Sequence, residues 1–127
     1  GEGNMNRVIR VTTQKQSIIV KQANDYVEKY PVIPAPIGRA EVEAQFYEII
    51  KSNIAVSSYM PRFIGADANH HILALTDEGN STDYTFLYQQ GNVLKEEELA
   101  VLIKYANALH HGFYNNNSEG LFENKAM

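Results

Sequence analysis

The sequence predicts an α+β fold: an antiparallel sheet of short strands before residue 80, one helix packed on it, and mostly helical structure afterwards. Three observations carry this reading. Segments 7–13 and 17–23 are rich in β-branched residues, which suit a pleated, half-buried surface, and only Gln14-Lys15-Gln16 separates them. Segment 39–53 places apolar residues at three- and four-residue steps, the spacing of an amphipathic helix. Segment 94–111 repeats that spacing over a longer run, beyond a break in composition at Asp77-Glu78-Gly79-Asn80-Ser81.

In chain order, Gly1-Glu2-Gly3 has the composition of a turn between strands, and a further strand is expected ahead of it. Segment 7–13 is a strand, the polar triplet a hairpin turn, and 17–23 the returning strand. Side chains alternate along a strand, so Ile19 and Lys21 share a face. Segment 24–38 contains Pro31, Pro34 and Pro36, which forbid a regular helix and favour an extended connector ending at Gly38. In 39–53, Ala40, Ala44, Tyr47 and Ile50, with Val42, Phe46 and Ile49, form the apolar positions, and Ser52-Asn53 is the stop.

Strands 62–66 and 70–76 follow, joined by the polar turn Asp67-Ala68-Asn69. The run His71-Ile72-Leu73-Ala74-Leu75 is nearly all apolar and is expected to be central in the sheet. Segment 82–89 reads as a short helix capped by Ser81 or Thr82, with Asp83 in its first turn. In 94–111 a stripe of Leu94, Leu99, Leu102, Ile103, Ala106, Leu109 and His110 is expected to be core, with Gly112 as the stop. From Asn115 onward no element is predicted.

Composition narrows the function classes. A chain of 127 residues, 44% hydrophobic, has the size and the apolar content for one domain with a core. A net charge of -4 argues against a general nucleic-acid or anionic-membrane binder. No cysteine is present, which excludes disulfides and thiolate metal sites. No apolar run approaches the roughly 20 residues of a membrane span. No leader pattern is visible, so a cytoplasmic protein is expected. The pairs His70-His71 and His110-His111 do not make a metal site, because neighbouring positions on a strand or helix diverge while metal pairs on helices favour i, i+4 spacing.

Four stretches then fall into a recognisable order. Gly1-Glu2-Gly3-Asn4-Met5-Asn6-Arg7-Val8 resembles the kinase glycine-rich loop, with Asn6 at its last glycine position, and Ile18-Ile19-Val20-Lys21 resembles the kinase strand that carries the phosphate-binding lysine. Val42-Glu43-Ala44-Gln45-Phe46-Tyr47 resembles the helix that supplies that lysine's glutamate. Leu73-Ala74-Leu75-Thr76-Asp77-Glu78-Gly79 resembles the strand and hinge between kinase lobes. Together they are most similar to the aminoglycoside phosphotransferase family and its small-molecule kinase relatives.

The resemblance implies a kinase-like N-lobe over residues 1–79, and over 80–127 the hinge and first helices of an incomplete C-lobe. It implies ATP as the nucleotide, with Gly1, Gly3, Asn4 and Asn6 in the phosphate loop. Lys21 would hold the α- and β-phosphates and Glu43 would orient it. Val8 and Ile19 would cover one face of the adenine, and the backbone of Asp77, Glu78 and Gly79 would meet its edge. The family's catalytic H-G-D and its metal-binding Asn have no counterpart here: His111-Gly112 is followed by Phe113. The magnesium ligands and the small-molecule hydroxyl acceptor would therefore belong to the missing lobe, and the piece alone is expected to be inactive and to self-associate through its exposed helix.

Other readings of the same residues stay open. Lys21 also fits a snorkelling surface lysine. Glu43 also fits a solvated helix face, and Glu41 is a rival partner for the lysine. A non-catalytic α+β binding or dimerisation module, or a degenerate kinase-like scaffold, accounts for the same pattern.

Overall fold

The computed structural model describes residues 5–80 and 83–114, and within them the chain is a mixed α+β fold with a four-stranded antiparallel sheet and three α-helices. Strands β1 (Arg7–Thr12) and β2 (Ser17–Gln22) form a hairpin whose register runs from Arg7 opposite Gln22 to Thr12 opposite Ser17. Its turn is closed from within. The Thr13 hydroxyl donates to the Gln16 carbonyl at 3.0 Å and accepts from the Lys15 and Gln16 amides at 3.3 and 3.2 Å.

The connector expected at 24–38 is extended, but it folds on itself. Strands β3 (Tyr26–Val27) and β4 (Tyr30–Pro34) pair as a separate two-stranded ribbon. Two prolines are compatible with β4 because it is an edge strand, fully exposed, where a missing N–H breaks no second ladder.

Helix α1 (Arg39–Ile50) buries Ala40, Ala44, Tyr47 and Ile50, the stripe its periodicity predicts, against strands β5 (Phe63–Asp67) and β6 (Ile72–Thr76). It ends three residues earlier than expected. The chain turns at Ser52-Asn53 into α2 (Ile54–Ser57), a single turn too short to show a period, which buries Val56 completely. Sheet order is β1-β2-β6-β5, so β6 is central as expected. Leu73 and Leu75 are buried in the core beside Ala23, Ala40, Tyr47, Ile50 and Val56, and the Tyr47 and Phe63 rings stack at 6.0 Å. Burying each such leucine contributes about 1.5–3 kcal/mol.

Three predicted details differ. Strand β6 begins at Ile72, not at residue 70, because His71 takes a left-handed backbone (φ 53°) and belongs to the preceding turn. Residues 84–88 form a 3₁₀ helix whose cap is Asp83, accepting from the Thr85 amide; the expected caps Ser81 and Thr82 lie outside the described residues, as does everything from Asn115. Helix α3 (Glu96–Phe113) runs through Gly112, which is no stop. A Cβ there would meet Asn53 Nδ2 at 2.5 Å, so glycine lets α3 approach the α1–α2 junction closely.

Most of the stripe expected to be core on α3 is not buried. Leu99, Leu102, Ile103, Ala106 and His110 are exposed; of the stripe, Leu109 packs at the core edge, where the helix also leans through Tyr105, Ala108 and Phe113. Tyr105 Oη donates to Met60 Sδ at 3.3 Å at that contact. Periodicity reported an apolar face correctly, but a face is core only where another element covers it. No helix among the described residues is long and apolar enough to cross a membrane.

Candidate functional site

The site grows from the alternation of β2. Directly opposite residues on neighbouring strands share a face. One row therefore contains Val8, Lys21 and Leu73, and the next contains Arg10, Ile19 and Leu75. Leu73 and Leu75 are buried in the core that α1 packs on, so Val8, Ile19 and Lys21 stand on the α1 side of the sheet.

On that side Lys21 Nζ donates to Glu43 Oε1 at 2.6 Å. The two side chains keep 28% and 26% of their exposure, which places the pair at the rim of the core, less screened by salt than a surface pair. Of the two candidate glutamates on α1, Glu43 is the one that meets the lysine. Glu41 is taken by His71, whose Nδ1–H donates to Glu41 Oε1 at 2.5 Å across the sheet–helix junction. A small cavity of about 180 Å³ flanks that second pair, walled by Ala40, Ala44, Ala66 and Ile72 among others. The Glu43 charge is felt nearby: burial first, then Glu43 and then Tyr105 push the Tyr47 phenol up to about 12.

The segment after β6 is held firmly. Arg10 grips Asp77 with two nitrogens, Nη2 to Oδ1 at 3.0 Å and Nε to Oδ2 at 2.8 Å, and Nη2 also donates to the Gly79 carbonyl at 2.7 Å. The Gly79 amide donates back to Asp77 Oδ1 at 3.0 Å, and its φ of 73° suits glycine. The Ser17 hydroxyl, with the Gly79 amide and Arg10, holds the Asp77 carboxyl below its ordinary range. Glu78 accepts from the Thr76 hydroxyl at 2.9 Å. Both backbone groups of Gly79 thus have partners within the chain, so of the three residues expected to face an adenine edge, Gly79 is committed elsewhere in this conformation.

Asn6 is committed too, since its Oδ1 accepts from Arg39 Nε at 2.6 Å. Gly1, Gly3 and Asn4 lie outside the described residues. Arg39 itself escapes the sequence reading. Beyond Asn6 it donates from Nη1 to the Asn24 and Pro36 carbonyls, both at 2.7 Å, and from Nη2 to the Met5 and Tyr26 carbonyls at 2.7 and 3.3 Å. All five donors of the guanidinium are used, on neutral acceptors. Burial lowers its pKa from the ordinary value. The one cue in the sequence was its position: a cation in the first turn has the wrong sign for the helix dipole, so some other interaction must offset it.

Comparison with known proteins gives no match to a family model, a curated protein or a solved structure. The functional reading therefore stands on the residues alone. Among the described residues no group of three or more His, Asp or Glu side chains has the geometry to hold a metal ion. What the arrangement offers chemically is a lysine ammonium fixed at the rim of a sheet face, oriented by a carboxylate and flanked by the half-buried Val8 and Ile19.

Proposed function

We propose that this chain is the ATP-holding lobe of a small-molecule phosphotransferase. The observation that carries the reading is the 2.6 Å contact from Lys21 on β2 to Glu43 on α1. Kinases depend on a lysine–glutamate ion pair between these two kinds of element. Phosphoryl transfer is mostly positioning and charge neutralisation, so an ammonium held still is the part of the chemistry this chain can supply. Lys21 holds the α- and β-phosphates, Glu43 aims it, and Val8 and Ile19 cover the adenine. Gly1, Gly3, Asn4 and Asn6 are the loop assigned to the phosphates, and the backbone of Asp77 and Glu78 borders the base. No metal step is assigned to these residues: magnesium ligands and the hydroxyl acceptor come from outside them.

The test is calorimetric titration of the chain, and of any longer protein that contains it, with MgATP. Saturable binding that weakens at least about tenfold in Lys21→Ala supports the reading. Equal affinity in wild type and Lys21→Ala removes it. A second reading, a non-catalytic binding or dimerisation module, is favoured by one specific observation, the exposed apolar stripe of α3. It predicts self-association with no nucleotide dependence.

A further inference from the structure

Glu41 and Glu43 are two positions apart on α1 and so roughly 200° apart around its axis. They lie on opposite sides of the buried line through Ala40, Ala44 and Tyr47. Each flank is fastened to a different part of the sheet: Glu43 to Lys21 on β2, and Glu41 to His71 in the turn before β6. The stripe between them is apolar, and apolar contact is non-directional. It fixes which face of the helix meets the sheet, but it tolerates small rotations about the axis that would carry a side chain at its margin off its partner.

His71 touches both elements that carry the ion pair. Its side chain binds Glu41 on α1, and its carbonyl accepts from the Ala23 amide at 3.0 Å, two residues beyond Lys21. Beside it the His70 carbonyl accepts from Gln22 Nε2 at 3.3 Å. The left-handed backbone at His71 (φ 53°) is unfavourable for a residue with a Cβ, although histidine is among the more tolerant types. Asp67, the last residue of β5, is engaged by His70 Nδ1 at 2.6 Å, so the two histidines do not compete for one partner.

We infer that His71 is a positioning residue for the Lys21–Glu43 pair: by holding the β2 end through its backbone and Glu41 through its imidazole, it sets the rotation of α1 that points Glu43 at Lys21. Its consequence for nucleotide binding rests on Lys21 being the phosphate anchor; the geometric claim does not.

Nuclear magnetic resonance tests it through the cross-peaks between the Lys21 and Glu43 side-chain methylenes. His71→Gly keeps the left-handed backbone and removes the imidazole. Glu41→Met leaves the turn untouched and removes the acceptor. Both should lose the Lys21–Glu43 cross-peaks, and His71→Asn should keep them, because Asn Nδ2 stands near the place of Nδ1 and Asn tolerates this backbone. A merely structural role would lower the melting temperature and leave the cross-peaks in place, and their persistence in Glu41→Met overturns the inference, whether or not His71→Gly folds. MgATP titration is the second arm. If the wild type binds nucleotide, its affinity should fall about threefold to tenfold in Glu41→Met. A wild type that binds none removes the phosphate-anchor reading, while the cross-peaks still decide the role of His71.

Discussion

Replacing Glu43 by glutamine keeps the side chain's shape and removes the charge that Lys21 meets at 2.6 Å. The cost follows from where the pair sits. Exposed ion pairs contribute about 0–1 kcal/mol, and breaking a fully buried one costs about 3–5 kcal/mol. With 28% and 26% of their exposure retained, these two side chains lie between the limits, nearer the first, since Lys21 can swing its ammonium to water. A coupling energy of about 1–2 kcal/mol is expected. The assay is a double-mutant cycle of Lys21→Met and Glu43→Gln, read from urea unfolding near neutral pH with an unchanged m-value. Partial burial makes a second demand: raising salt from about 0.1 M to about 1 M should reduce the coupling without abolishing it. A coupling below about 0.3 kcal/mol, or one that salt erases, would show that the contact is a loose surface pair and would undo the reasoning built on it.

Other outcomes follow from the same geometry. The folded Tyr47 phenol, pushed up to about 12, lies above its ordinary 10.0. Its neutral form therefore stabilises the fold fully below pH 10.0, and that contribution fades as pH rises towards about 12. Discounted for solvent screening, it amounts to about 1–2 kcal/mol, and Tyr47→Phe should flatten the alkaline limb of the stability curve; ultraviolet titration in which all eight tyrosines ionise together near 10.0 would refute it. Asp77 is held below 3.8, mainly by Ser17, so its contribution is complete above that pH and is lost as pH falls through the lowered folded value. Ser17→Ala should be less stable than wild type near neutrality, by a margin that narrows in strong acid to what its hydrogen bond with the Thr12 hydroxyl contributes, and a difference independent of pH would rule this out. The α3 stripe, with Ile103 60% exposed, should drive self-association that Ile103→Lys abolishes; light scattering showing a monomeric wild type at high concentration would refute this.

The parts of the fold legible in advance are those that period alone decides. Alternation in β2 puts Ile19 and Lys21 on one face, and the three- and four-residue steps of α1 pick out Ala40, Ala44, Tyr47 and Ile50 as the stripe that the structure buries. Period is silent where a single residue or a missing neighbour decides. Nothing local marks His71 as left-handed, since its flanking residues read as the start of a strand. The four residues of α2 span barely one turn. The stripe on α3 is a genuine apolar face, and whether it is covered depends on elements elsewhere, not on its own spacing.

The choice between Glu41 and Glu43 shows why the site was harder to read than the fold. Both acids flank the same buried stripe, and the sequence contains a basic partner for each: Lys21 on a predicted strand and His71 at the mouth of another. Assigning them requires knowing which flank of α1 faces β2, and that depends on sheet order, in which β6 lies between β2 and β5. Once that order is set, the assignment has little freedom. Arg39, Glu41 and Glu43 fasten the first turns of α1 to three separate places: the 5–6 and 24–36 segments, the turn before β6, and β2. The apolar stripe supplies most of the adhesion and decides which face of α1 meets the sheet, but it tolerates small turns about the helix axis. The three polar attachments do not, because hydrogen-bond strength falls steeply with misalignment. The final setting of α1 therefore depends on its least hydrophobic positions, and the aim of Glu43 at Lys21 is a property of that whole attachment rather than of the pair alone.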